Sequence, residues 1–270
     1  MFQQMSNMLS SGVRAVQRNL RHGLRLHESE QAIIRQAQQF WNSVSNVDQE
    51  EGRAHWRGHG VFANDDARWN ALGANNLRLF EKMAGKEWLK QRRANVVDWG
   101  SGGGCNAVHF GVGAANYFAV DITADSLSEC GKQMLEAGLN SFKPIHIQIS
   151  RPEQALELID APCDLILSTY VFEVIPTKQY GERLLDIMSR LLRPDGLAFL
   201  QVKYSDLSWS SKPRPWNYKR NMADMTTYRI EEFWNTAPRH KLEPEQVILE
   251  PQQPLVDDRR YAYYLLRKAA

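Results

Sequence analysis

Two acids separated by a run of glycines are the residues of this chain best suited to chemistry. Val96 to Asn106 reads Val-Val-Asp-Trp-Gly-Ser-Gly-Gly-Gly-Cys-Asn: an apolar, β-branched approach to Asp98, then glycines at 100, 102, 103 and 104. This predicts a strand breaking into a tight turn. Glycine there lets backbone N–H groups approach a ligand that a Cβ would hold off. A second apolar run, Tyr117 to Val120, ends in Asp121. The interval of about 20 residues is that of a carboxylate gripping ribose hydroxyls. A glycine turn flanked by two strand-end carboxylates makes a nucleoside site.

Fine spacing selects among nucleoside ligands. Counted from Gly100, the third position of a dinucleotide fingerprint falls on Cys105, and the lysine of a phosphate-binding loop is absent. The pattern Asp-x-Gly-x-Gly-x-Gly (Asp98, Gly100, Gly102, Gly104) instead resembles the first motif of class I S-adenosylmethionine-dependent methyltransferases. The resemblance implies that Asp98, Gly100, Ser101 and Gly102 cradle the methionine part of S-adenosylmethionine and that Asp121 binds its ribose. It implies an adenine slot after the third strand, where Ser150 stands, with Ile122 as an apolar face for the ring.

A third chemical segment runs Cys163-Asp-Leu-Ile-Leu-Ser-Thr-Tyr-Val-Phe-Glu-Val-Ile-Pro176. Ligands of parallel sheets sit beyond the carboxyl ends of strands, so Ser168, Thr169, Tyr170 and Glu173 are expected to face cofactor and acceptor. The segment resembles the Leu-Glu-His-Val-like stretch of small-molecule methyltransferases, with Val174 in place of its histidine. Glu173 and Tyr170 remain as the polar catalytic candidates, and capping of the next helix is the alternative role for Glu173.

Two segments outside these motifs also carry candidate groups. Asp48 to Phe62 holds His55, Trp56, Arg57 and His59 between glycines, and loops of this composition often do binding work. By resemblance this segment folds over the cofactor and helps shape the acceptor pocket, which implies a contact of Trp56 and Arg57 with cofactor or acceptor; His59 is a catalytic candidate by type. Ser205 to Tyr228 lacks apolar periodicity and holds Arg214, Trp216, Tyr218, Lys219 and Arg220. A long insertion of this kind reads as a lid or binding loop, with cations and aromatic faces for an anionic or sugar-like acceptor.

The elements that must position these groups follow from periodicity. Strands are expected near 95–99, 116–121, 143–148, 164–170 and 197–204, with helices near 104–110, 125–137, 152–159 and 178–192 between them. Such alternation implies right-handed crossovers and a parallel sheet. Gln246 to Glu250 and Arg260 to Leu266 resemble the antiparallel pair that closes the seven-stranded sheet of the family. The fold expected is α/β: a mostly parallel Rossmann-like sheet, helices on both faces, and an N-terminal helical extension. Residues 1–85 form that extension and 86–270 the cofactor-binding core, with the lid at about 205–228. After the insertion a helix is expected, with Thr226 or Thr227 as N-cap ahead of Glu231 or Glu232.

Bulk properties set the outer bounds. The 270 residues, 43% hydrophobic and 24% charged, suit a soluble globular chain. A net charge of +2 argues against a nucleic-acid partner with an extended footprint. Three cysteines, Cys105, Cys130 and Cys163, have no metal-binding spacing and read as reduced thiols. Residues 1 to 27 contain four arginines and no acid, with Met5, Leu9, Val13, Val16, Leu20 and Leu24 at helical spacing. This basic amphipathic helix fits its own domain, a sister subunit in a homo-oligomer, or an anionic membrane surface, and is arginine-rich and acid-poor like an organelle-targeting peptide; the location expected is cytoplasmic, with peripheral membrane contact as the alternative.

The function expected is S-adenosylmethionine-dependent methyl transfer to a small molecule, with O-methylation of a sugar or natural-product intermediate favoured, S-adenosylhomocysteine as product and no metal. The alternatives are an RNA or protein methyltransferase and a non-catalytic S-adenosylmethionine-binding scaffold or sensor.

Overall fold

Strand alternation decides the layering of the molecule. The computed structural model describes residues 28–50, 62 and 65–270, with backbone alone for 43–50 and 90. In chain order the elements are α1 (Glu30–Glu50), α2 (Asp66–Ala84), α3 (Trp88–Arg92), β1 (Asn95–Trp99), α4 (Ala107–Phe110), β2 (Asn116–Asp121), α5 (Ala124–Glu136), β3 (Phe142–His146), α6 (Gln154–Leu158) and β4 (Cys163–Ser168). They continue with α7 (Lys178–Leu191), β5 (Leu192–Lys203), the short α8 (Tyr218–Asn221), α9 (Ile230–Thr236), β6 (Leu242–Gln253) and β7 (Asp258–Lys268). The seven strands lie in one sheet, ordered β3-β2-β1-β4-β5-β7-β6. All neighbours are parallel except β7, which is antiparallel to both β5 and β6.

Successive side chains of a strand point to opposite faces, and both faces here are covered. Val97, Trp99, Phe118, Val120, Ile166, Ala198, Leu200 and Tyr264 join a core with α6, α7 and α9. Val96, Tyr117, Ala119, Leu165, Leu167, Phe199 and Tyr263 join a second core with α2 to α5. Phe80 of α2 packs edge-on to Phe199, which stacks on Tyr263 with centroids 5.7 Å apart. Asp98 and Asp121 share the face of Val96 and Tyr117, so the alternation turns both acids toward the second layer. Asp164 fixes the foot of the sheet, accepting from the Asn95 amide at 2.7 Å and pairing with Arg193.

Several expectations change on folding. The helix after the insertion starts at Ile230, and the Arg229 amide donates to Glu232 Oε2 at 3.0 Å. Thr226 and Thr227 do not cap it: their hydroxyls are spent on the carbonyls of Ile175 and Ser211 in a buried stretch. α7 is capped by Thr177, which accepts from the Tyr180 amide, so Glu173 is released from the capping role. The segment 205–228 is packed more than looped. Trp216 and Tyr218 are buried, and Tyr218 forms a small core with Ile33, Ala37 and Met225. Gln36 of α1 accepts from the Tyr218 amide, and Trp41 donates to the Tyr218 hydroxyl at 3.0 Å. α1 and the insertion thus form one cap. The expected amphipathic helix of residues 1–27 and the segment carrying His55, Trp56, Arg57 and His59 lie outside the described residues.

Candidate functional site

β1 ends in the turn its glycines require. Gly100, Gly102 and Gly104 all have positive φ, at 78°, 51° and 97°. Gly100 is also sterically obligatory, since a Cβ there would stand 2.3 Å from Val171 Cγ2. Gly102 differs: a Cβ there would meet nothing within 4 Å. Its bare backbone borders open space, the cradle that a ligand pressed against a main chain needs. The Gly102 amide donates to Asp121 Oδ2 at 2.9 Å, while Asp121 Oδ1 accepts from the Thr123 amide and hydroxyl. Asp121 Oδ1 is thus engaged twice by its own loop, which holds the carboxylate against the bare backbone of the turn. The residues present therefore fit the methionine and ribose parts of S-adenosylmethionine.

Asp98 sits behind the turn rather than in it. It is fully buried, and Oδ2 accepts from the Tyr117 hydroxyl at 2.7 Å. Burial pushes its carboxyl up to about 7 against the hydrogen bonds of Tyr117 and Asn106, with the Asp121 charge adding to the rise. Asn106 continues the network, accepting from Asn76 of α2 at 2.9 Å and donating to Thr169 at 3.1 Å. α2 approaches so closely that a Cβ on Gly73 would lie 1.8 Å from the Cys105 carbonyl oxygen. Sequence reading missed Tyr117, Asn106, Asn76 and Gly73. The polar residues inside apolar runs, Asn76 above all, were the available signal.

The other expected cofactor residues fall in different places. Ser101 is buried in the turn, with its hydroxyl oxygen lacking a partner at hydrogen-bonding geometry. Ile122 is half-buried at the end of β2, where its carbonyl lies 3.2 Å from His146 Nε2. Ser150 is exposed on the turn closed by Arg151 and Gln148. Ser168 is turned inward: its hydroxyl donates to the Trp99 carbonyl at 3.1 Å and ties the ends of β1 and β4. His109 of α4, which is not among these residues, packs on α2 with Nε2 about the Asn70 carbonyl and side chain, and burial lowers its pKa.

Beyond β4 lies a second polar cluster. Tyr170 takes a left-handed conformation, φ 61°, and its amide donates to Gln201 Oε1 at 2.5 Å. Its hydroxyl lies 3.0 Å from that of Tyr263, and burial holds its pKa well above the ordinary phenol value. Tyr170 is thereby held as a neutral phenol. Glu173 is buried at 5% exposure, and burial pushes its carboxyl up to about 7. The Lys203 charge opposes the rise, and the acids Asp258 and Asp224 add to it. Lys203, 3% exposed at the end of β5, pairs with Asp258 at 2.5 Å and Asp224 at 3.6 Å. An acid with that value is half ionised near neutrality and can take a proton. Gln201 and Lys203 escaped sequence reading because nothing in a strand pattern marks a polar residue as buried.

The insertion presents fewer groups than its composition suggested. Arg214 pairs with Asp224 at 3.2 Å, Trp216 and Tyr218 are buried, and Lys219 and Arg220 are exposed. Arg260 joins Asp224 from β7 at 3.1 Å. Of the cations that read as an acceptor-binding set, Arg214 is engaged with Asp224, which Arg260 ties to β7, while Lys219 and Arg220 stay on the surface.

Comparison with known proteins bears on the site as a whole. A family model described as a methyltransferase domain matches residues 68–239. No curated protein sequence matches the chain. Among solved structures, 1,6-didemethyltoxoflavin-N1-methyltransferase of Burkholderia thailandensis, with 1,6-didemethyltoxoflavin and S-adenosylhomocysteine bound, aligns at a TM-score of 0.63 and 17% identity over 90% of this chain and 92% of its own. An S-adenosylmethionine-dependent methyltransferase of Methanosarcina mazei aligns at 0.52 and 12% identity, covering 65% and 92%. The CcbJ methyltransferase of Streptomyces caelestis aligns at 0.50 and 13% identity, covering 66% and 85%.

Proposed function

The chain belongs to the methyltransferase-domain family and is a class I S-adenosylmethionine-dependent methyltransferase; from that premise we propose that it methylates a small, flat acceptor at a hydroxyl or ring nitrogen, with Glu173 as the base. The observation that carries this reading is the buried Glu173 carboxyl, poised at about 7 beyond the end of β4. The bound cofactor supplies an electrophilic methyl group, so the protein has to align the acceptor, exclude water and remove a proton. Gly102 and Asp121 hold the cofactor, and Asp98 with Tyr117 and Asn106 stiffens the turn from behind. Glu173 accepts the proton of the attacking O–H or N–H, while Lys203 keeps its carboxylate form accessible near neutrality.

A flat acceptor is favoured over a sugar by what surrounds Glu173. Tyr170 packs edge-on to Tyr261 at 5.2 Å and shares its hydroxyl contact with Tyr263, which gives the region rings rather than a polyol-binding array. The Burkholderia thailandensis enzyme, whose ligand is a fused-ring heterocycle, lends the same reading support. An RNA or protein acceptor has less support, because Arg214 is already paired within the chain.

The test is the pH dependence of kcat/KM. It should rise with pH and level off above about 7, as Glu173 loses its proton. Glu173→Gln should flatten that limb and lower the rate by roughly 10²–10⁴. An unchanged limb in the variant would rule Glu173 out as the base.

A further inference from the structure

We infer that Glu173 and Gln201 form an acceptor–donor pair that reads an amide edge, an N–H beside a C=O, on the ring to be methylated. The inference rests on the proposed placement of the acceptor beside Glu173.

Gln201 lies wholly buried on β5, where an amide must find partners for both ends. Its Oε1 is committed to the Tyr170 amide at 2.5 Å. That contact settles which end of the side chain is oxygen, and leaves Nε2 as the free end. Nε2 has no partner at hydrogen-bonding geometry, and neither has Glu173 Oε2. A hydrogen bond from Gln201 favours the ionised form of Glu173, but the contact falls short of full hydrogen-bonding geometry, so Nε2 and Oε2 both remain incompletely partnered.

A buried donor or acceptor left unpaired costs about 1–3 kcal/mol. One donor and one acceptor, side by side at the end of the sheet where ligands bind, are completed together by a ligand of the opposite pattern. A lactam N–H would donate to Glu173 Oε2 while its carbonyl accepts from Gln201 Nε2. Planar two-point contact by amide and carboxylate side chains is how proteins read the edges of nucleobases. The ring bearing that edge would lie among Tyr170, Tyr261 and Tyr263.

The experiment titrates the full chain calorimetrically, above the Glu173 transition, with lumazine, its N,N-dimethylated form and naphthol, each alongside S-adenosylhomocysteine. Lumazine carries N–H groups next to carbonyls, the dimethylated form keeps only the carbonyls, and naphthol offers a lone hydroxyl. Lumazine should bind at least about tenfold more tightly than the other two, the worth of one good hydrogen bond. Gln201→Glu keeps an oxygen for the Tyr170 amide and replaces the donor by an acceptor; it should weaken lumazine by about tenfold or more and leave S-adenosylhomocysteine affinity unchanged. Should that variant not fold, the wild-type preference among the three probes still decides. Equal binding of the two lumazines, tighter binding of naphthol, or no binding of lumazine would overturn the pair. Each of those results can occur with S-adenosylhomocysteine still bound and the Glu173 limb of the rate profile intact, which separates this failure from that of the proposed function.

Discussion

Gln201 Oε1 takes the backbone N–H of Tyr170 at 2.5 Å, so a side chain of β5 fixes the first turn of the chain beyond β4. Tyr170 holds φ at 61°, a conformation that a bulky residue adopts only where its surroundings impose it. The Tyr170 to Tyr263 hydroxyl contact and the packing of Tyr261 supply the rest of the constraint. Two strands, β5 and β7, thereby fix the start of the segment that carries Glu173, and the predictions below follow from that arrangement and from the glycine turn.

Asp121→Ala should remove the carboxylate that accepts from the Gly102 amide and, in the proposed complex, from the cofactor ribose. Charge-assisted hydrogen bonds are worth about 1.5–3 kcal/mol each, so S-adenosylhomocysteine affinity should fall by roughly 10- to 100-fold. Calorimetry reads this directly, and an affinity within twofold of wild type would remove Asp121 from the site.

Gly100→Ala and Gly102→Ala should fail differently. At Gly100 the new methyl meets Val171 at 2.3 Å, so the melting temperature should drop and binding with it. At Gly102 there is open space, and only the left-handed backbone resists, at about 1–2 kcal/mol. The methyl there instead fills the cradle, so ligand affinity should suffer far more than stability. Paired melting and titration curves for the two variants check the contrast.

The pH dependence of stability has a definite sign. Glu173 goes from an ordinary 4.5 to about 7 on folding, and Asp98 from 3.8 to about 7. Between those values the folded chain keeps protons that the unfolded chain has released, so raising the pH disfavours the folded state. The stability carried by the protonated acids is complete below the unfolded values and is lost as the pH climbs through 7. Glu173→Gln removes its share of that loss, so above pH 7 the variant should be more stable than wild type, by on the order of 1–3 kcal/mol. Lys203→Met takes away the charge that opposes the rise and should move the transition higher still. Denaturant melts across the pH range test both, and a Glu173→Gln variant no more stable above neutrality would contradict the buried acid.

The sequence alone determined the sheet, the glycine turn and the class of ligand, because each of these is local. Alternating strand and helix periods imply crossovers. A strand running into Gly100, Gly102 and Gly104 implies left-handed backbone, and the acid ending the next strand falls beside it. Tertiary structure alone decided which polar groups have work left to do. Arg214, Trp216 and Tyr218 read as acceptor ligands until folding engages Arg214 with Asp224 and the two rings in packing. Ser168 read as facing the cofactor until its hydroxyl met Trp99, and Glu173 as a helix cap until Thr177 took that place. Gln201, Lys203 and Tyr117 gave no sign of their partners, since burial and pairing depend on neighbours from strands and helices far away in the chain. A residue's type can be read one position at a time, but whether its hydrogen bonds are already spent is a property of the packed whole.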